Sequence, residues 1–407
     1  MTSEPGIVIV GGGMAAARAC INLRSHDYAG SITLVSEENL LPYDRPPLSK
    51  ASLVDVEAYH PVLLLDDSIV VSLNVEVSLG KTVTAINRVE KTISLNDGSK
   101  IAYSKLLLAT GAKPRKLNCP GGEFALTLRD HQDAVVLREK FQAGKKIVVV
   151  GGGFIGLELA SSANKLGCNV TLIEAQPRIL MRGVPEPIAK IVHDRHLAAG
   201  VTMIIGTSIS HLTAHGVHLT DGREIVADTI IAGIGASPET KLAAEAGLMI
   251  ENGITCNAQM QTSDPDIYAA GDCASFPHVE MGGRRIRLEA WRSAQEQAAT
   301  TVENMLGGAK AHNTVPWFWS DQYDLSLQIA GMADMGPNTI TRIRAEGSIV
   351  MFHLADDGSL KGASGIGLGT SIGRDIKVAE MLIAKNAKPS PEILADPTQP
   401  LKALLKG

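Results

Sequence analysis

The sequence predicts an α/β chain: two tandem copies of one parallel-sheet fold, with a smaller α+β domain behind them. Three observations predict it. A β-branched run ending in three glycines occurs twice, as Ile7-Val8-Ile9-Val10-Gly11-Gly12-Gly13 and as Ile147-Val148-Val149-Val150-Gly151-Gly152-Gly153. A second pair of segments, 93–111 and 217–235, matches without gaps and follows the first pair in the same order. From about Thr314 the composition changes, opening with Trp317-Phe318-Trp319.

Each glycine-tipped run reads as a buried parallel strand, because strands covered on both faces are apolar throughout. Alanine-rich or apolar periodic stretches follow, about 15–24 and 155–166, and read as helices. Apolar runs at 32–35 and 170–173 then close two βαβ units. Segments 93–111 and 217–235 each hold an Asp-Gly pair between β-rich runs, a hairpin signal, and end in an apolar strand with a terminal glycine, Gly111 or Gly235. A further helix is expected over about 289–306. These readings divide the chain into a discontinuous first domain (residues 1–112 and 236–313), an inserted second (113–235) and a third (314–407).

Composition narrows the function. A net charge of −5 without a long basic run gives no support for nucleic acid as a partner. The cluster Arg284-Arg285-Ile286-Arg287 reads as a solvated surface turn, with an acidic protein partner as the alternative. The five cysteines are scattered, with no Cys-x-x-Cys, which argues against a disulfide framework and against a zinc or iron–sulfur site. No metal is expected, and a reducing cytoplasm fits best. Met1-Thr2-Ser3-Glu4 lacks the basic start of a signal peptide, and no apolar run reaches the roughly 18 residues a membrane helix needs. A soluble protein, with no membrane partner, is expected.

The glycines carry the chemistry. A pyrophosphate needs donors with no side chain in the way, and a strand-to-helix turn of glycines supplies them at a positively polarised helix N-terminus. The second unit satisfies the dinucleotide-binding pattern with Gly151, Gly153 and Gly156, and Gly152, Phe154 and Ile155 complete that turn. The first has Gly11 and Gly13 followed by Met14 and Ala15, with Ala16 at the third position, where only helix–strand packing is asked of the residue. One such pattern is weak evidence. Each here is followed, about 20 residues on, by an acid suited to a ribose hydroxyl, Glu37 and Glu174. A carboxylate at Glu174 accepts the 2′-hydroxyl and repels a 2′-phosphate, which favours NADH over NADPH. Arg178 and Arg182 follow, each read equally as a pyrophosphate or a solvent contact.

With both fingerprints in place, further segments complete a pattern. They are Leu41-Pro42-Tyr43-Asp44-Arg45-Pro46-Pro47-Leu48-Ser49-Lys50, Ala109-Thr110-Gly111, Thr262-Ser263-Asp264 leading to Ala270-Gly271-Asp272, and Trp317-Phe318-Trp319-Ser320-Asp321-Gln322-Tyr323. Over essentially its whole length the chain resembles the FAD-dependent ferredoxin reductases of bacterial oxygenase systems, the putidaredoxin reductase and biphenyl-dioxygenase reductase group. The resemblance implies two Rossmann-like domains in the glutathione-reductase layout, FAD on the first and NADH on the second. It places Ala15 at the FAD pyrophosphate, Glu37 at the adenosine ribose, Val83 at the adenine and Arg129 on the phosphate side. Arg45 and Lys50 fall near the flavin, Asp272 at the ribityl chain, and Trp291 and Trp319 along the isoalloxazine. Glu158 is implied near the nicotinamide, beside Lys50.

Without that resemblance, Lys50 is a surface lysine, Glu158 a helix-dipole partner and the tryptophans core anchors, while Asp272 has a helix cap as its alternative, its place after an apolar strand and Gly271 favouring the ribityl role. The implied activity is an NADH:ferredoxin oxidoreductase that passes single electrons to a 2Fe-2S ferredoxin or a rubredoxin serving an oxygenase. Two other readings share the layout. A disulfide reductase or NADH oxidase/peroxidase needs a redox cysteine at the flavin, and residues 45–50 hold none, while Cys20 falls in a predicted helix. A redox sensor of the apoptosis-inducing-factor type would instead turn over slowly.

Overall fold

The computed structural model describes residues 4–55, 57, 60–344 and 346–406, so Met1–Ser3, part of the signal-peptide reading, lie outside the described residues. Two compact units emerge: residues 1–45, 61–113 and 236–314, and residues 46–60, 114–235 and 315–407.

The first unit is built on a five-stranded parallel sheet. Its strands pair in the order Ile267–Ala269, Lys105–Leu108, Ile7–Val10, Ile32–Val35 and Val75–Ser78. Every residue of Ile7–Val10 and Ile32–Val35 is buried, as expected of parallel strands covered on both faces. The helix Met14–Ser25 lies over this sheet on a row of small side chains, Ala15, Ala16, Ala19 and Cys20. Small residues let it share one core with Ala294, Ala298 and Val302 of the helix Trp291–Met305.

In the second unit the parallel sheet runs Ala125–Leu126, Thr229–Ala232, Lys146–Val150, Asn169–Glu174 and Thr202–Ile205. The two orders correspond strand for strand, so the repeat read from sequence is a repeat of topology. One difference matters. The edge strand of the first sheet, Ile267–Ala269, comes from the chain after the second fold, whereas that of the second, Ala125–Leu126, comes from just before its own glycine turn.

Each fold also carries a three-stranded antiparallel ribbon, Val83–Asn87 with Thr92–Leu95 and Lys100–Ala102, and Ile209–Thr213 with Gly216–Leu219 and Glu224–Val226. The two Asp-Gly turns work alike. Asp97 accepts the Ser99 N–H at 2.9 Å and Asp221 the Arg223 N–H at 3.1 Å, while Gly98 and Gly222 take φ of +85° and +88° in open space. An aspartate that folds onto its own backbone, followed by a residue free to turn left-handed, is what such a hairpin needs.

The rest of the second unit is the α+β region expected from sequence. Five antiparallel strands run in the order Trp317–Gln322, Leu325–Gly331, Leu360–Leu368, Ile349–Leu354 and Asn338–Ile343, and the helix Gly373–Ala384 packs on them. Residues 46–60, which sequence alone groups with the first domain, belong with the second unit. The reason is specific bonding: the Arg138 guanidinium donates to the carbonyls of Ser52 and Asp55 at 3.0 and 2.7 Å.

The basic cluster is not a turn. Arg284–Ile286 is a strand paired with Ala274–His278, and Ile286 is buried. Arg285 donates to the carbonyls of Cys256 and Ser275, and Arg287 to that of Asp272 and to Glu289. Their guanidinium groups thus answer main-chain carbonyls, and that of Arg287 a carboxylate as well. Among the described residues no helix is long and apolar enough to cross a membrane.

Three histidines, His196, His312 and His353, are buried, and burial pushes each down to about 4 from an ordinary 6.5. The unfolded chain therefore binds protons that the folded chain refuses between these values. Stability is complete above about pH 6.5 and falls as the pH drops toward 4, by up to about 1.4 kcal/mol per pH unit for each histidine. Thermal unfolding measured from pH 7 to 4.5 should show this decline, and His312→Gln should reduce its slope. A flat profile across that window would contradict the assignment.

Candidate functional site

At the tip of the first sheet, Ile7–Val10 runs into three glycines, each answering a different demand. Gly11 has φ +129°, and a Cβ there would stand 2.1 Å from the Ala109 carbonyl oxygen. A Cβ on Gly12 would meet the Ser36 hydroxyl at 2.3 Å. Gly13 faces open space, with only the Arg45 guanidinium within 4 Å of its would-be Cβ. The helix that starts at Met14 has no side-chain cap and no acid in its first turn. Its leading N–H groups and positive end are thus left for an anion.

Of the other expected residues, Arg45, Ala109 and Gly271 lie beside this turn. A Cβ on Gly271 (φ +84°) would lie 3.3 Å from Ala15, and the Gly271 N–H donates to Gln297 Oε1 at 2.8 Å. Asp272 is followed by the strand Ala274–His278, so it caps no helix. Trp291 opens the helix Trp291–Met305 and donates its indole N–H to Asp44 at 2.5 Å. It is a polar anchor as well as an apolar one. Burial pushes the Asp44 carboxyl up, against the opposing pull of that indole. Arg45 pairs with Glu38 and lies over the Tyr43 ring. Thr110 donates to the Glu239 carbonyl at 2.7 Å, and Gly111 turns with φ +69°. Val83 opens the first ribbon, opposite Leu95. Arg129 sits in the second unit, where its N–H donates to Asp133 just ahead of the helix His131–Lys140.

The second sheet repeats the device with one change. Gly151 has φ +108°, Gly153 is open, and the helix Phe154–Lys165 again has no side-chain cap and no acid in its first turn. Glu174 ends its strand and accepts the N–H of Gly152 at 2.6 Å and of Gln176 at 2.7 Å. The pairings Val10↔Val35 and Val150↔Ile173 make Ser36, not Glu37, the counterpart of Glu174. The first acid, Glu37, stands one residue further out and is exposed. Arg178 donates to the carbonyls of Ile179, Leu180 and Val184, and Arg182 is exposed. Gly235 turns with φ +99° in open space.

The change lies in helix–strand spacing. A Cβ on Gly156 would fall 2.0 Å from the Gly151 carbonyl oxygen, and one on Gly233 would fall 2.9 Å from Gly156. The first fold has Ala16 and Ala109 at these two places, both buried. The small residues come as pairs, two glycines or two alanines. Sequence reading noticed Ala16 but had no means of connecting it to Ala109.

Lys50 and Glu158 are brought together. Lys50 follows the short turn Pro46–Ser49, and its Nζ lies 2.9 Å from Glu158 Oε2. Glu158, on the helix Phe154–Lys165, is buried, whereas the Lys50 side chain is 26% exposed. Ser49 donates to the same carboxylate oxygen and Ser320 to the other at 2.6 Å. Ser162 in turn donates to the Ser49 carbonyl at 2.7 Å. A buried carboxylate left alone would cost several kcal/mol, and here three donors answer it. Both bland readings of this pair, surface lysine and helix-dipole acid, fall. The two serines were not foreseen.

Strand alternation explains Ser320. On Trp317–Gln322, Phe318, Ser320 and Gln322 share one face, and Trp317, Trp319 and Asp321 the other. Phe318 meets Phe154 with ring centroids 4.4 Å apart, and Ser320 meets Glu158. Four helical residues rise about 6 Å and two strand residues about 6.6 Å, so successive contacts keep step. On the other face Trp319 stacks with Trp317 at 5.3 Å. Ile155, by contrast, points outward, 47% exposed.

Neither glycine turn contains a cysteine. Cys20 lies buried in the helix Met14–Ser25, its thiol pushed up to about 12 by burial, and none of the five is in a disulfide. Among the described residues no cluster of metal-ligating side chains occurs.

Comparison with known proteins places these features. Residues 5–298 match the family model described as pyridine nucleotide-disulphide oxidoreductase, and residues 317–405 one described as reductase C-terminal. The ferredoxin–NAD(+) reductase component of the anthranilate 1,2-dioxygenase system of Burkholderia cepacia is 38% identical, covering 100% of both chains. A rubredoxin–NAD(+) reductase of Pseudomonas putida is 41% identical over 80% of this chain and 86% of its own. The crystal structure of the covalent putidaredoxin reductase–putidaredoxin complex matches with a TM-score of 0.92 and 32% identity, covering 100% of this chain and 99% of that one.

The glycine turns give separable outcomes. Gly11→Ala forces a methyl group onto the Ala109 carbonyl and should yield protein without bound flavin. Gly156→Ala should lower stability by about 1–3 kcal/mol and weaken nicotinamide binding, yet purify yellow. Visible absorbance per mole of protein, read with a thermal melt, distinguishes the two; a Gly11→Ala protein with full colour would remove the first turn from the site.

Proposed function

This chain belongs to the pyridine nucleotide-disulphide oxidoreductase family, and from that premise we propose that it is an NADH:ferredoxin reductase serving an oxygenase. One observation carries the reading: two sheets of the same strand order each end in a glycine turn that leaves a helix N-terminus open to a pyrophosphate. The fit is specific on the first fold. Gly11 and Gly12 have walls that a Cβ would strike, Gly13 is open, and Ala15 and Gly271 bring Asp272 to the same turn.

FAD, when bound, accepts a hydride from NADH and releases the electrons one at a time, which is the chemistry the cofactor brings. The chain's residues do the rest. On the first fold we assign the pyrophosphate to the turn Gly11–Ala15, the adenosine to Glu37 and Val83, and the ribityl hydroxyls to Asp272. On the second, the turn Gly151–Gly156 takes the nicotinamide dinucleotide, and Glu174 turns its carboxylate from the Gly152 N–H to the ribose hydroxyls. Arg45, Arg129, Trp291 and Trp319 border the flavin side. Lys50 would supply positive charge beside the isoalloxazine, and Glu158 holds that ammonium in place. The proposed domains are residues 1–112 with 236–313 for FAD, 113–235 for NADH and 314–407 as the C-terminal domain, except that residues 46–60 go with the second unit.

The family name includes disulfides, but the segment 44–50 has Asp44, Arg45, Ser49 and Lys50 where a disulfide enzyme needs paired cysteines. With relatives named as ferredoxin and rubredoxin reductases, the proposed acceptor is a one-electron protein, a 2Fe-2S ferredoxin or a rubredoxin. The cytoplasm, where NADH circulates, is the proposed compartment.

Anaerobic titration should bleach the flavin with one equivalent of NADH and far less readily with NADPH. A supplied ferredoxin should then restore its colour in steady turnover; a long-lived reduced complex that ignores ferredoxin would favour the sensor reading. Glu174→Arg should weaken NADH and strengthen NADPH, and an unchanged preference would refute the ribose role. Lys50→Ala should slow flavin reduction about ten- to a hundredfold and lower the flavin potential. If neither moved, Lys50 would have no part in the reaction.

A further inference from the structure

Ser320, which donates to Glu158, is the end of a longer line of hydrogen bonds. Gln322 Nε2 lies 3.2 Å from Ser320 Oγ, Gln322 Oε1 lies 2.9 Å from His196 Nε2, and His196 Nδ1 lies 3.4 Å from the Tyr323 hydroxyl. His196 comes from the helix Glu186–Ala198, so the line ties two secondary elements of the second unit to Glu158. Glu158, Ser320, Gln322 and His196 are all at most 4% exposed, which leaves water little access to any link.

Chemistry fixes the direction of every bond. A carboxylate facing an ammonium and two hydroxyls only accepts, so the Ser320 proton points to Glu158. The Ser320 lone pair then requires an N–H, which turns the amide nitrogen of Gln322 toward it and the amide oxygen toward His196. That oxygen only accepts, so His196 carries its proton on Nε2 and leaves Nδ1 to accept from Tyr323. Burial keeps this imidazole neutral, as the line requires. Bonds aligned in one sense polarise one another, and all of them point at Glu158.

A second observation shows what holds the line. Tyr323 lies in the two-residue connection between Trp317–Gln322 and Leu325–Gly331 and has φ +56°, a conformation that bulky residues rarely adopt. Its N–H donates to Ser161 Oγ at 3.2 Å, and the Arg195 guanidinium lies 4.4 Å over its ring while pairing with Asp324 at 2.7 Å. A turn that glycine or asparagine would make more easily is thus clamped from two helices of the second fold.

We propose that Ser320, Gln322 and His196 are positioning residues for the reductase reaction: a one-way line of donors, rooted at the Tyr323 turn, that fixes the Glu158 carboxylate and through it the Lys50 ammonium. This rests on the reading that Lys50 serves the flavin. The two serine bonds also keep Glu158 satisfied when the lysine turns away.

The test uses the FAD-loaded protein. In wild type, 15N spectra of histidine-labelled protein should show His196 as the Nε2–H tautomer. Ser320→Ala should slow flavin reduction by NADH about tenfold and lower the flavin potential, and Ser320→Thr should restore both. Gln322→Glu sets a carboxylate against Ser320, draws its proton away from Glu158, and should reproduce the Ser320→Ala potential at nearly unchanged side-chain volume. Lys50→Ala is measured alongside. If it matches wild type, the flavin-side reading itself fails. If it is impaired while Ser320→Ala and Gln322→Glu keep the wild-type potential, the line is refuted. An Nδ1–H tautomer at His196 refutes it even if a variant does not fold.

Discussion

A helix that begins without a side-chain cap and without an acid in its first turn leaves its leading N–H groups unanswered. After Gly13 and after Gly153 this chain does so at the tip of a parallel sheet. The sheets exist to aim these helix starts, and the glycines to let a phosphate reach them. Gly11 and Gly151 reverse the chain with positive φ against the carbonyls of Ala109 and Gly233, which ties each turn to the strand beside it. Binding site and topology are one constraint, which is why they repeat together.

The two copies have diverged where the constraint is loosest. Helix and strand need small residues at their crossing, and two alanines do as well as two glycines provided both partners agree. The acid is less fixed still. Glu174 sits in the sheet and is held by the turn it serves, whereas Ser36 takes that place in the first fold and the acid moves one residue outward to Glu37. The tighter spacing and the inward acid belong to the fold assigned to NADH, which comes and goes, and the looser arrangement to the one assigned to FAD, which stays.

What sequence revealed were local patterns: glycine turns, the Asp-Gly hairpins at 97–98 and 221–222, apolar strands and the shift in composition near Thr314. Each is set by a few adjacent residues, and the α/β class with its two folds and C-terminal domain followed. Relations between distant positions stayed hidden. Nothing near Ala16 announces Ala109, nothing near Glu158 announces Ser320, and Arg285 looks like a surface charge until the carbonyls of Cys256 and Ser275 appear beside it. Alternation along Trp317–Gln322 was the missed clue, because it sets Ser320 and Gln322 on the same side as Phe318. The grouping of residues 46–60 was hidden for the same reason, since Arg138 reaches back to Ser52 and Asp55 from far along the chain.

The origin of the two edge strands has a consequence for synthesis on the ribosome. The second sheet has all five strands once residue 232 has emerged, but the first must wait for Ile267–Ala269, and its shared core for the helix that ends at Met305. The fold whose turn is translated first is therefore the last to close. Until then its nascent strand Lys105–Leu108 has an open edge, and the first glycine turn stands on an incomplete sheet while the inserted fold is already made.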